Sequence, residues 1–404
     1  MRLPLLAYSD TRTAMERGER QGSQVARAFL VVGSLTNALF MLTVQLIALV
    51  YLSPADFGRF AFVYLFYGAC LSVSHSLVID VWVRSVPESI SWRTYAATLG
   101  WVALGISFLS LVAGLAITQS VLLSVAVGVG TGAGVYRNGA RFYAARLLSW
   151  RYVIVPDAFG TGFLLAVFLV AIPVVGVFDA VLIAWASSQA AAALITRQAR
   201  PLPLKLLRKW FSDHWAQIRQ LWLDSSLLDA SVIVTPLVVS AFLSLPNFGI
   251  YRAISSSALP VRLILAPLRP NISGLSLRSF QNRRATVSIF VAGAFVGTLV
   301  TLLLWGVGVT GLLPESILPR VADYAFSAGI FACGNLVSTV YYVAARSNVA
   351  FSRVRFGRYV ETVVMVLGPL IGLAFAGLGG AVWGFSIGSV LVAASWAGIV
   401  RFPR

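Results

Sequence analysis

The chain is poor in the side chains that carry most soluble chemistry. Among 404 residues there are two histidines, two cysteines and 14 acidic groups. Cys70 and Cys333 both sit inside apolar runs, which excludes a disulfide framework and a paired-cysteine metal knuckle. No P-loop and no HExxH motif occurs, so phosphate-cradling and zinc-protease chemistry have no local carrier. A bound cofactor is not expected. A coupling ion, proton or sodium, is the one small species left open.

What the chain has instead is apolar residues, 58% of the total. A membrane-spanning helix needs about 20 of them in succession, and the supply suffices for about a dozen spans. The pattern predicts all-α helices over 27–52, 58–83, 95–117, 120–148, 153–172, 175–195, 221–244, 248–275, 286–308, 323–345, 357–376 and 380–400. The net charge of +17 would point to nucleic acid in a soluble protein. Here the basic residues fall in short clusters between spans, so they read as topology signals and no nucleic-acid partner is expected. Of the 31 basic residues, 26 fall on one side of the predicted bundle. Basic loops stay in the cytoplasm, which predicts cytoplasmic termini. Leu3 to Ala7 is too short for a signal-peptide core, and residues 1–26 are expected as a polar cytoplasmic arm.

The longest basic connector, 196–220, divides the spans into two sets of six, 27–195 and 221–404. It carries Trp210, Phe211 and Trp215 among six basic residues, which suits an amphipathic segment on anionic headgroups or a plain topology-fixing linker. The two halves share short motifs. LSPADFGRF (52–60) and LSLPNFGIY (243–251) place Phe57-Gly58 and Phe248-Gly249 191 residues apart, and Arg-Tyr-Val recurs at Arg151 and Arg358, 207 apart. An even number of spans per half gives both halves the same orientation, with a pseudo-two-fold axis along the membrane normal and a central cavity between two bundles.

Ionisable groups inside hydrocarbon are expensive and normally face a cavity or a partner. Span 8 carries Arg252, Arg262 and Arg269; Ser255, Arg262, Arg269 and Ser276 recur every seven residues on one stripe of a helix interrupted by Pro260, Pro267 and Pro270. This stripe is expected to bind an anion, the alternative being snorkelling of Arg252 and Arg269 to opposite interfaces. Arg137 and Arg141 share one face of span 4 after the Gly128–Gly134 run; they either line the cavity mouth or simply mark the cytoplasmic end. Arg59 follows the first Phe-Gly pair much as Arg252 follows the second, so both are expected to point at one region. Asp229 and Glu361, with Asp224 beside the former, are candidates for ion coupling or for ion pairs with membrane arginines. Asp224 and Asp229 lie about 140° apart on a helix and do not form one carboxylate pair. Asp80 is expected to pair with Arg84, and His75 to be a packed polar residue. Asn37 and Gln45 in span 1 and Asn335 and Thr339 in span 10 are candidates for contacts with sugars, or for links between helices.

The motif LSPADFGRFAFV resembles the junction after span 1 in the polysaccharide (O-antigen type) flippases of the multidrug/oligosaccharidyl-lipid/polysaccharide exporter superfamily. LPNFGIYRAISS resembles the start of their span 8. AGLGGAVWGFSIGSVL, with Gly380, Ala381 and Gly384, is similar to the start of their span 12. The resemblance implies two six-helix bundles that move an undecaprenyl-diphosphate-linked oligosaccharide across the bacterial inner membrane by alternating access, with no covalent chemistry. It implies arginines holding the diphosphate, here Arg59, Arg252 and Arg262 and, on the same stripe or at the mouth, Arg269, Arg137 and Arg141. Membrane lipids and the polysaccharide polymerase and export machinery are the implied partners. The acid pair typical of drug or sodium exporters is missing from span 1, where Ser34, Asn37 and Gln45 stand. The alternatives are a cation-coupled exporter of small amphiphiles and a membrane-embedded glycan polymerase or transferase.

Overall fold

A computed structural model describes residues 29, 31–85, 91–147, 149–196, 203–258, 261, 265, 272, 275–311 and 313–402. Among these, every regular element is a helix. The long helices are α1 (Val31–Tyr51), α2 (Pro54–Arg84), α3 (Trp92–Thr118), α4 (Val121–Arg146), α5 (Ile154–Val175), α6 (Val177–Ile195), α7 (204–240), α8 (Leu245–Ser256), α9 (Arg283–Thr310), α10 (Ala325–Asn348), α11 (351–375) and α12 (378–401). Eight helical stretches, counting α11 and α12 as one, are long and apolar enough to cross a membrane.

Local signals set the helix ends. Ser53 caps α2 by accepting from the Asp56 amide at 3.2 Å, with Pro54 in the first turn. Ser91 and Ser120 cap α3 and α4 in the same way, at 3.3 and 3.4 Å. α11 and α12 together span 51 residues, which as one straight helix would measure about 76 Å, more than twice a bilayer's roughly 30 Å core. The chain turns back instead at Ala376–Gly377, where Gly377 takes φ +56°. The returning arm packs on glycine: a Cβ on Gly372 would overlap the Gly380 carbonyl, and one on Gly384 would overlap that of Gly368. Close backbone approach of this kind is how helices associate where lipid supplies no hydrophobic drive.

The expected boundary at 220 is not a break. The basic segment and the following apolar one are a single helix, α7, with a π-helical turn at Ala230–Val234. Its first half does more than lie on a surface. Trp210, Ile218 and Leu221 are buried together with Trp82, Tyr95 and Val81 of α2 and α3, and the Trp210 indole donates to the Leu77 carbonyl at 3.0 Å. Lys205, Arg208, Lys209 and Trp215 remain on its exposed face. A second π-helical turn, His75–Ile79, lies in α2 opposite α7. Ser72 donates to Asp229 at 2.6 Å and the Ser76 and Ser225 hydroxyls pair at 2.7 Å, so α7 is stitched to α2 across the two halves.

At the end of α2 near Pro54 the halves meet again, through the repeated motif. A Cβ on Gly58 would strike the Leu245 carbonyl, and one on Gly249 would strike the Pro54 carbonyl. Leu245 and Pro54 are themselves equivalent, 191 residues apart. The Phe62 and Phe248 rings meet at a tilt of 31° across the seam with centroids 4.4 Å apart, and the Ile317 amide donates to the Leu52 carbonyl at 2.9 Å. The largest apolar cluster runs through this seam, from Phe57 and Phe60 to Phe248, Tyr251, Phe331 and Phe385.

Candidate functional site

The seam opens into one cavity of about 160 Å³ with walls from both halves. The N-terminal half supplies Gln45 from α1 and Tyr64 from α2; α8 supplies Arg252, Ser255 and Ser256; α10 supplies Phe331, Asn335 and Ser338; α11 and α12 supply Glu361, Met365, Phe385 and Ser389. α8 is short and starts with its Phe-Gly pair wedged against α2, which leaves Arg252, four residues beyond Phe248, directed past the seam into the cavity. Its Nη1 donates to the Ser255 hydroxyl at 3.1 Å. A narrow extension of the cavity runs from Gln45, Tyr64 and Arg252 to Phe57 and Phe60.

The wall formed by α11 carries the carboxylate. Glu361 Oε2 accepts from Arg358 Nη1 at 2.9 Å and from the Trp396 indole at 3.1 Å. The Arg358 guanidinium lies 3.8 Å above the Tyr342 ring, which meets Trp396 edge-on at 5.1 Å. The lining is thus one cation, one carboxylate compensated by a neighbouring guanidinium, neutral hydrogen-bonding groups and aromatic faces. Such a chamber can bind an amphiphile with a charged head.

No protein-family model matches the sequence, and no curated protein matches it. Among solved structures the chain is similar to a multidrug-resistance MATE family transporter of the MOP superfamily in its inward-facing conformation (TM-score 0.61, 14% identity, 93% of this chain and 97% of the other). It is also similar to the lipid II flippase MurJ in an inward closed conformation (TM-score 0.54, 10% identity, 93% and 86%). A third is a MOP superfamily transporter from Pyrococcus furiosus Vc1, whose binding pocket of reverse polarity suggests a different function (TM-score 0.54, 15% identity, 93% and 94%). The chain has the fold of the MOP-superfamily transporters. It is a multi-pass membrane protein.

Within this MOP fold the expected site residues separate into groups. Arg252, Gln45, Asn335 and Glu361 come together around the cavity. Arg59 does not join Arg252; half-exposed, it sits 3.7 Å from Asp56 on its own helix. Arg262 and Arg269 lie outside the described residues, as does the side chain of Asp224. Asn37 and Thr339 are half-buried on α1 and α10, outside the lining. Asp229 is engaged with Ser72. Asp80 approaches His75 Nδ1 at 3.4 Å and not, as expected, Arg84. Asn138 faces the other ring nitrogen of His75 at 3.2 Å, so this histidine is a packed, hydrogen-bonded one.

Arg137 and Arg141 lie away from the cavity lining, in the interior of the N-terminal half. Both engage Asp157 of α5, Arg137 through Nη1 and Arg141 through Nε at 2.9 Å. Arg137 is fully buried, donates to Gln189 at 3.0 Å and lies 4.6 Å from the Phe40 ring centre; Arg141 also donates to the Gly33 carbonyl. The glycine run before them lets α4 approach its neighbours: a Cβ on Gly130 would crowd Ala186 and one on Gly134 the Tyr67 ring. Sequence reading passed over Arg358, Trp396 and Tyr64. The Arg358–Glu361 spacing of three residues was the available signal.

Proposed function

We propose that the protein translocates an undecaprenyl-diphosphate-linked oligosaccharide repeat unit across the bacterial inner membrane by alternating access, for exopolysaccharide or O-antigen synthesis. In this reading the chain crosses the membrane twelve times, as the apolar runs predict, both termini are cytoplasmic, and the two bundles are the six spans within 27–195 and the six within 221–404. The observation that carries it is the character of the cavity. Arg252 projects into a chamber whose one lining carboxylate is already held by Arg358, so the net field there favours an anion. Guanidinium groups match phosphate oxygens bidentately, and Gln45, Asn335, Ser255 and Ser338 offer hydrogen bonds to sugar hydroxyls.

At about 160 Å³ the cavity is smaller than the roughly 300 to 1,000 Å³ of pockets that enclose drug-sized ligands. A lipid-linked glycan therefore loads only after the halves part, first at one end and then at the other. Proton or sodium coupling falls to Asp229 and Glu361, and the product passes to the polymerase and export machinery. MurJ, similar in fold, is named as a lipid II flippase.

A second reading, a cation-coupled exporter of small amphiphiles, is favoured by the Tyr64, Phe331, Phe385 and Met365 faces of the cavity and by the fold's likeness to a multidrug transporter. The two readings part in cells depleted of the protein. Leaflet-resolved analysis of lipid-linked oligosaccharides then finds completed units accumulating on the cytoplasmic side if the protein is the flippase. Normal arrival of units at the outer leaflet rejects that reading.

A further inference from the structure

The carboxylate of Glu361 is out of place in a receptor for an anion, and its partners give the reason for its presence. Among the described residues it is one of two charged groups in the cavity wall, the other being Arg252. Three helices converge on it: Arg358 from its own α11, Tyr342 from α10 beneath the guanidinium, and the Trp396 indole from α12. Glu361 lines the cavity and Arg358 stands one helical turn away, each 23% exposed, so the pair is part-open to solvent while the aromatic rings fix the guanidinium plane.

The hydrogen bond between them runs from one guanidinium nitrogen to one carboxylate oxygen, and that same oxygen also serves Trp396. This is the weaker, monodentate form of an arginine–carboxylate contact. A phosphate can engage the guanidinium fork with two oxygens and carries more charge, so it competes well for the same cation. The stacking on Tyr342 keeps Arg358 at the wall when the carboxylate lets go, because the ring contact does not depend on Glu361.

We infer that Arg358, paired with the cavity-lining Glu361, is a second anion-binding residue at the edge of the cavity, and that Glu361 is its built-in counter-ion, displaced when a phosphate-bearing ligand binds. The inference rests on the reading of the cavity as a site for a phosphate-headed substrate. It gives Glu361 an unusual sign: removing its charge strengthens ligand binding, whereas a carboxylate that merely supports the wall weakens binding when neutralised.

The test is calorimetric titration of the full chain in detergent with geranyl diphosphate, geraniol and inorganic diphosphate. The variants are Glu361→Gln, which keeps an acceptor for the Trp396 indole, Arg358→Gln, and the two combined, each checked for an unchanged melting temperature. Glu361→Gln is expected to bind geranyl diphosphate roughly fivefold more tightly, the scale of a part-exposed ion pair. Arg358→Gln is expected to weaken binding, and the double variant to lose the gain. A Glu361→Gln variant that binds equally or more weakly overturns the inference, as does a gain that survives in the double variant. The underlying reading is tested separately by the wild type. No preference for geranyl diphosphate over geraniol removes the phosphate-headed substrate and this role of Arg358 with it. Equal affinity for inorganic diphosphate keeps Arg358 as an anion anchor and rejects the lipid-linked source.

Discussion

Gly58 and Gly249 stand at equivalent points of a repeated motif, and each receives a carbonyl from the start of the other's helix: Leu245 against Gly58, Pro54 against Gly249. The contact is self-complementary: each glycine lies against the residue equivalent to the other's partner. It closes one end of the cavity with backbone against backbone. The close approach is possible because neither position carries a Cβ.

A methyl group at either glycine therefore forces the halves apart at this end. Gly58→Ala and Gly249→Ala are each expected to lower stability by about 1 to 3 kcal/mol, the range for overpacking a tight contact. Transport is expected to fall with it. Fluorescence-detected melting and complementation measure the two effects, and two variants with wild-type melting and transport remove the contact as a closure point.

Asp157 holds two guanidinium groups inside the N-terminal half. Asp157→Ala leaves Arg137 buried without a counter-charge, and loss of one partner of a buried pair costs about 3 to 5 kcal/mol. A large drop in melting temperature is expected. Arg137→Gln added to Asp157→Asn is expected to recover part of the loss, since removing both charges leaves less uncompensated. Melting temperatures of the single and double variants, set out as a cycle, give the coupling directly.

The Ser76 and Ser225 hydroxyls touch at 2.7 Å where the π-helical turn of α2 meets α7, five residues before the π-helical turn of α7 itself. π-helical turns concentrate at functional points of helices. In a background of Cys70→Ser and Cys333→Ser, the pair Ser76→Cys with Ser225→Cys is expected to cross-link on oxidation, stop transport, and release it on reduction. Full transport by the cross-linked protein shows instead that this seam does not move.

The helices were legible because uninterrupted apolar runs admit few other structures; the Phe-Gly pairs were legible as a repeated motif, but that they pack on each other was not, since such a contact leaves no mark in local spacing. The site was legible in part. Arg252, Gln45, Asn335 and Glu361 reach one cavity, but Arg59 turns to its own helix neighbour. Arg137 and Arg141 sit at the end of α4 that topology rules assign to the cytoplasm, and their partner Asp157 comes from another helix, so their pairing left no mark in local spacing. Arg358 was hidden by the same rule. α7 broke the pattern because its first half is amphipathic: one face packs on α2 and α3, and the apolar run that marks a span begins only later.

The most direct measurement of the central claim is flipping in proteoliposomes. The purified protein is reconstituted with a fluorescent short-chain prenyl-diphosphate-linked sugar, and the outer-leaflet fraction is followed over time for wild type and Arg252→Ala. The account predicts protein-dependent redistribution in the wild type and its loss, with retained folding, in Arg252→Ala. Redistribution at the protein-free rate in the wild type, or undiminished flipping in the variant, contradicts it.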